Sequence, residues 1–334
     1  MPPEVLGHRS IISRHHASLR SLSLTTDQSC DEDDEQVCLA DLSSFGQLQS
    51  LRWRAPRYRD LPSLSLALER NSNHLRELEL DLVKWGEIIK QTPGYWEHGY
   101  DMPTQVHCTE TIFGLARQLP GRGPIFAAIR ELCLTAVLIV PDLASAINFG
   151  TLRCLTLRRC ANWDTLFTQA FELGLSLRLT KLEICVVDDG YDGSDLDFQK
   201  EGRVVLDGID GLEELFIAHD ASQSSLDIWG RLVRHQATLK RLVHHKRQFL
   251  LPDDIRREGE RWDLEDGGVS DEELRQIEED PARNPLSSLD LDFIGICCVP
   301  ARLVRNSRYL VNGGMLITTP SRDLSCCPSL RRHR

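Results

Sequence analysis

The chain is 334 residues long, with 50 acidic against 39 basic side chains and a formal net charge of −11. That sign argues against a nucleic-acid partner, since phosphate binding wants a basic face, and no run of 18 apolar residues is present to span a membrane. The eleven cysteines, an odd number at irregular spacing with no Cys-x-x-Cys pair, read as reduced thiols rather than a disulfide framework.

Met1 to Ser10 lacks the apolar stretch of a secretory signal, which together with the thiols places the protein in the cytoplasm or nucleus. From Leu19 a six-residue phrase, Leu-x-x-Leu-x-Leu, recurs along the chain. It is pure at Leu19-Leu22-Leu24, Leu75-Leu78-Leu80, Leu152-Leu155-Leu157 and Leu286-Leu289-Leu291. Variants stand at Leu48-Leu51-Trp53, Ile129-Leu132-Leu134, Leu179-Leu182-Ile184 and Leu212-Leu215-Ile217, with a degraded copy at Leu239-Leu242. Successive starts are 29, 27, 54, 23, 27, 33, 27 and 47 residues apart. Intervals of this size on this phrase signal a leucine-rich repeat. The expected fold is α/β: a solenoid, or horseshoe, with a parallel sheet on its concave side and helices on its convex side.

Side chains alternate across a strand, so the fourth and sixth positions of a phrase point inward together. One unit cannot bury its own apolar edge, whereas stacked units bury a continuous core. The segments between phrases supply the helices. Trp163, Leu166, Phe167, Ala170 and Phe171 form one helical stripe, and Ile228, Trp229, Leu232 and Val233 another. Cys133, Cys154, Cys160 and Cys185 occupy repeat positions where a small buried residue serves.

On this reading, residues 1–296 are a solenoid of about nine units. Residues 84–128 fill the doubled interval as an insertion with short helices at its ends, and residues 252–285 form a second insertion. In that second insertion Ser270 and Glu273 spell a capping box for a short helix ending before Pro281. Asp31 to Gln36 reads as an acidic loop. Residues 297–334 are an irregular basic tail; from Pro300 on it carries seven arginines against Asp323.

The fifth and seventh positions of each phrase would line the concave strip. They are Ser23 and Thr25, Arg52 and Arg54, Glu79 and Asp81, Cys133 and Thr135, and Thr156 and Arg158. The series continues with Glu183 and Cys185, Phe216 and Ala218, Val243 and His245, and Asp290 and Asp292. Arg52 and Arg54 make a positive spot, Asp290 and Asp292 a negative one, and Phe216 an apolar anchor. Arginine and aromatic residues anchor protein interfaces. The candidate partner-binding residues are therefore Arg52, Arg54, Glu79, Asp81, Thr156, Arg158, Glu183, Phe216, His245, Asp290 and Asp292. Tyr95, Trp96 and Tyr100 of the first insertion either dock their own loop or make a second patch.

Chemical motifs are sparse. Asp188 to Asp197 looks superficially like a calcium loop, but its third and twelfth positions are Gly190 and Gln199, which cannot supply the carboxylates needed there. His15-His16 and His244-His245 are adjacent pairs, and neighbours on a strand point oppositely, so neither pair chelates one ion without turning. Joining them to Cys297 and Cys298 would need the fold to bring all four together. No nucleotide loop, nucleophile elbow or metalloprotease motif is present. No cofactor and no metal are expected, and the chain reads as a non-enzyme.

The unit Leu152-Arg-Cys-Leu155-Thr-Leu157-Arg-Arg-Cys160-Ala-Asn-Trp163-Asp164 resembles the cysteine-containing repeats of F-box/leucine-rich-repeat proteins. Leu286-Ser-Ser-Leu289-Asp-Leu291-Asp-Phe293-Ile-Gly295 is similar to the closing repeats of fungal proteins of this kind. The resemblance covers roughly residues 10–296 and implies a substrate receptor of a cullin-type (SCF) ubiquitin ligase, with ligase components among its partners. The F-box module itself is not found; Pro2-Pro3-Glu4-Val5-Leu6 only faintly matches its opening. Two other readings stay open: a truncated gene product without defined activity, and an enzyme with an atypical site at His98, Cys108 and Glu110.

Overall fold

The structure is a computed structural model that describes residues 18–26, 41–82, 109–115, 123–186, 198–220, 224–247, 270–280 and 284–296. The fold is α/β, with parallel strands and helices between them. The chain divides into two compact units, Met1–Phe216 and Ile217–Arg334.

In the first unit six strands pair in parallel and in chain order: β1 (Ser21–Thr25), β2 (Ser50–Arg54), β3 (Glu77–Asp81), β4 (Glu131–Thr135), β5 (Cys154–Arg158) and β6 (Lys181–Cys185). The register follows the repeated phrase position by position. Leu51, Leu78, Leu132, Leu155 and Leu182 stand side by side, and Trp53, Leu80, Leu134, Leu157 and Ile184 make a second row. All ten are buried, and so are the first-position residues Leu48, Leu75, Ile129, Leu152 and Leu179. Each such side chain contributes roughly 1.5–3 kcal/mol by leaving water. At the first strand Leu24 is buried and Leu22 half-buried. β3 pairs directly with β4 across the doubled interval, whose described part includes one helical turn over 109–113.

A second register device is written in the backbone. The amides of the second and third phrase positions both donate to the carbonyl of the preceding unit's second position. Arg76 and Glu77 donate to Gln49 at 2.8 and 3.0 Å, Arg130 and Glu131 to Arg76, and Arg153 and Cys154 to Arg130. Thr180 and Lys181 donate in turn to Arg153, and Glu213 and Glu214 to Thr180. Just past the strands, Ala55, Ala136 and Arg159 adopt positive φ of 52°, 54° and 52° at the eighth phrase position. Their amides reach the seventh-position carbonyls of Asp81, Arg158 and Cys185 at 2.8 Å, and the eighth-position amides of Thr26 and Leu82, which lack that conformation, make the same bond to Arg54 and Thr135.

The intervening helices are α1 (Leu61–Asn71), α2 (Pro141–Ala146), α3 (Trp163–Glu172) and α4 (Phe198–Gly208). α1 and α2 each carry a proline in the first turn, where its missing N–H costs nothing. Leu61, Leu64, Ala67, Leu68 and Asn71 bury one stripe of α1, and Trp163, Leu166, Phe167 and Ala170 the stripe of α3 anticipated from spacing. Asn71 ties α1 to the segment before β2. Its Oδ1 accepts from the Leu48 amide at 2.8 Å, and its Nδ2 donates to the carbonyls of Phe45 and Ala67 at 2.7 and 2.8 Å.

Strand β7 (Glu214–Asp220) begins in the first unit and ends in the second. The second unit continues with α5 (Ser225–Leu232), β8 (Arg241–Arg247), α6 (Asp271–Glu279) and β9 (Phe293–Ile296), and β8 pairs in parallel with β9. Here the structure corrects the last phrase. Leu242 pairs with Ile294, and the Asp292 and Phe293 amides both donate to the Lys240 carbonyl. By the same ladder rule Asp292 is a second position, so the phrase is Leu291-Ile294-Ile296 rather than Leu286-Leu289-Leu291. Leu286 is buried in the 3-10 turn Pro285–Ser288, capped by Asn284. The shift arises because a pure copy of the phrase, Leu286-Leu289-Leu291, overlaps a variant one, Leu291-Ile294-Ile296, and strand pairing rather than leucine identity selects the frame.

The capping box of α6 is formed as spelled. Ser270 Oγ accepts from the Glu273 amide, and Glu273 Oε2 accepts from the Ser270 amide and hydroxyl at 2.8 and 2.9 Å. Glu273 is buried, and its other oxygen accepts from Ser224 Oγ and the Leu226 amide at 2.9 and 3.1 Å, so one carboxylate joins the N-termini of α5 and α6. Among the described residues no helix is long and apolar enough to cross a membrane.

Candidate functional site

Alternation sends the third, fifth and seventh positions of each phrase to the face opposite the leucine rows. In the first unit this gives three aligned columns, of which the fifth and seventh positions make two. Ser23, Arg52, Glu79, Cys133, Thr156 and Glu183 are successive partners, as are Thr25, Arg54, Asp81, Thr135, Arg158 and Cys185. These are the residues read from the fifth and seventh positions. Sequence reading missed the third-position column: Glu77, Glu131, Cys154 and Lys181 are partners on the same face, with Glu214 at the third position of the next phrase. Parity alone would have found them.

The charged residues of this face pair with one another across strands. Arg52 Nη2 lies 3.5 Å from Glu77 and its Nε 3.6 Å from Glu79, and Arg54 lies 3.4 Å from Asp81. Ser50 Oγ adds a bond to Glu77 at 3.0 Å. The positive spot anticipated at Arg52 and Arg54 is therefore neutralised by the next strand, and across β2–β4 two arginines face Glu77, Glu79, Asp81 and Glu131. Arg158 makes the strongest contact, a fork of Nε and Nη2 onto the two oxygens of Glu183 at 2.6 and 3.1 Å. Burial works against the Arg158 charge, but the bonds and charge of Glu183 more than offset it and hold the guanidinium above its usual range. Lys181 reaches Glu214 at 3.6 Å.

Between these groups lies an uncharged patch of Cys133, Thr135, Cys154 and Thr156. Cys133, Cys154 and Cys185 are half-buried on this face, so only Cys160 of the four is a core thiol. Burial pushes the Cys133 thiol up to about 12, opposed by Arg158 and reinforced by Glu79, Glu183 and Asp81. Burial likewise pushes Cys160 up to about 12. Neither is poised as a nucleophile at neutral pH. Thr156 is nearly covered, and Phe216, at the start of β7, is half-buried.

In the second unit His245 is half-buried on β8, while His244 beside it is turned inward and buried, as alternation requires. Asp290 and Asp292 are not on the sheet face: both precede β9, whose fifth position is Gly295. Asp290 instead takes the Lys240 ammonium at 2.7 Å, a bond that lowers its carboxyl below the usual range and raises the lysine. Of the alternative catalytic trio only Glu110 is described, half-buried. His98, Cys108, the aromatics Tyr95, Trp96 and Tyr100, the acidic loops and His15-His16 lie outside the described residues. Among the described residues no three or more His, Cys, Asp or Glu side chains converge as a metal ion would need. Compared with known protein families and with curated proteins, the chain matches none.

Proposed function

We propose that this chain is a non-catalytic leucine-rich-repeat scaffold that binds another protein through the sheet face of its first unit. One observation carries the reading: six successive strands hold their outward side chains in aligned columns at fixed register. The short fork of Arg158 onto Glu183 biases those two side chains toward one arrangement before any partner arrives, which reduces the ordering cost of association. The longer exposed pairs across β2–β3 add less. The raised thiols of Cys133 and Cys154 suit contact rather than chemistry.

The finer reading rests on the resemblance of the Leu152–Asp164 unit to F-box/leucine-rich-repeat proteins. It makes the chain a substrate receptor acting with ubiquitin-ligase components in the cytoplasm or nucleus. The test is affinity capture with the wild-type chain and with a variant carrying Arg52→Glu, Arg158→Glu and Phe216→Ala, checked for an unchanged fold by circular dichroism. A partner held by the wild type and released by the variant supports the scaffold reading. Equal recovery by both refutes it, and the absence of cullin-ligase subunits from the recovered set refutes the receptor role alone.

A further inference from the structure

Inside the second unit two imidazoles meet, and the binding face makes no use of them. His219 on β7 and His244 on β8 are 1% and 2% exposed, and their Nε2 atoms lie 2.7 Å apart. The ring centroids are 5.0 Å apart with planes 25° from parallel. That separation is about the N···N distance plus two ring radii, so the rings meet end to end, as a hydrogen bond requires. On the far side of His244, Trp229 Nε1 of α5 lies 3.0 Å from Nδ1. An indole nitrogen only donates, so Nδ1 of His244 accepts and its proton sits on Nε2. That proton points at Nε2 of His219, which must accept, leaving the proton of His219 on Nδ1. One tautomer of each ring satisfies this chain of bonds, and it is a neutral one in both.

Two facing imidazoles invite a metal, but Trp229 forbids it. A metal on Nε2 of His244 would force that ring's proton onto Nδ1, against the indole N–H. The 2.7 Å gap is also shorter than the roughly 3.3 Å between two nitrogens around tetrahedral zinc.

We propose that His219, His244 and Trp229 form a proton-sensitive latch, which holds β7, β8 and α5 together while both imidazoles are neutral and loosens when either gains a proton. A proton added to His244 goes to Nδ1, head to head with the indole N–H. One added to His219 goes to Nε2, head to head with the N–H of His244. Either leaves a buried donor without an acceptor, in surroundings where that is costly.

Of the other titratable groups on these elements, Glu214 stands at the opposite end of β7 from His219 and pairs with Lys181. Asp227, Arg231 and Arg234 occupy exposed positions of α5 and the turn after it, and His235 is buried at that turn. Arg241 and His245 alternate to the opposite side of β8, with Arg241 over the ring of Phe293 on β9. β9 has no ionisable side chain, and Glu273 of α6 engages the first turn of α5. The side chains of Asp220, Lys246 and Arg247 lie outside the described residues.

The sign follows from linkage. Unfolded imidazoles titrate near ~6.5, so below that pH the unfolded chain takes up protons that the latched one excludes. Stability from the latch is present above about pH 6.5 and lost below it. From pH 7.5 to 5.0 the unfolding equilibrium constant should rise roughly 30-fold for each excluded imidazole. The test is urea unfolding of the full chain at both pH values, followed by hydrogen exchange of α5 and β8, for the wild type and for His219→Gln with His244→Gln. That pair keeps donors and acceptors but cannot titrate. The acid loss of the wild type should exceed that of the variant by about 30-fold or more; equal losses overturn the latch. Should the double variant fail to fold, Trp229→Phe removes the opposing N–H and should blunt the acid loss, and an unchanged loss overturns the proposal. Nitrogen-detected NMR of the wild type at pH 7.5 should place the protons on His244 Nε2 and His219 Nδ1; a charged ring, or the reverse tautomers, overturns it too.

Discussion

Replacing Arg158 by Met and Glu183 by Gln, singly and together, isolates the strongest contact of the sheet face. The two N–H···O bonds of 2.6 and 3.1 Å make the pair bidentate, with side-chain exposures of 41% and 15%. Two unit charges about 4 Å apart attract by ~1 kcal/mol in water and ~4 kcal/mol at the effective dielectric of a protein surface. Arg158 is more than a third exposed, so solvent screening draws the value toward the lower end, while the charge-assisted fork adds to it. The expected coupling in a double-mutant cycle is about 1–2 kcal/mol at low salt, falling markedly toward 1 M salt as the Debye length shrinks. Urea denaturation of the four proteins measures it. A coupling near zero at low salt would refute the pair as a preformed part of the face. Arg158 would then be free for a partner to recruit, and the case for a pre-ordered surface would fail with it.

Cys133 should resist alkylation: with its thiol pushed up to about 12 from 9.0, the thiolate fraction at pH 8 is about 1000-fold below that of an open cysteine. Mass spectrometry of iodoacetamide-treated native protein reads this, and native labelling as fast as in urea would contradict it. Because Cys133 and Cys160 are both raised in the fold, their contribution to stability is complete below about pH 9 and is lost as pH climbs toward 12. Alkaline unfolding curves of Cys133→Ser and Cys160→Ala should be flatter than wild type across that range. Asn71→Ala strands the Leu48 amide and the Phe45 carbonyl; at ~1–3 kcal/mol each, a loss of about 2–6 kcal/mol in urea unfolding experiments is expected. Ala136→Gly relieves a left-handed residue at φ 54° and should stabilise by about 0.5–1 kcal/mol, the strain removed less the added freedom of the unfolded chain. A loss on thermal melting would sink that reading.

The strand columns were legible because period-2 alternation and a fixed phrase leave little freedom. Once Leu78 and Leu80 go inward, Glu79 and Asp81 must go outward, and the same holds at four neighbouring strands. The capping box at Ser270 and the helix from Trp163 were legible for the same reason, since both are local rules. What escaped, beyond the third-position column, was the frame of the last unit and the pairing of charges between strands. The frame of the last unit depended on which residues could pair with Arg241 and Leu242, and leucine counting chose Asp290 and Asp292 wrongly. The neutralisation of Arg52 depended on Glu77 and Glu79, and that of Arg54 on Asp81, all on the next strand and at least 25 positions away.

The spacing of leucines by itself determined that short parallel strands would lie in chain order and which side chains would share a face, because burial of an apolar row fixes both register and parity. Only the tertiary structure decided which charges on that face cancel and that His219, Trp229 and His244 share one chain of protons. Pairing energies depend on distances of a few ångströms between residues remote in sequence, and no local pattern encodes those distances.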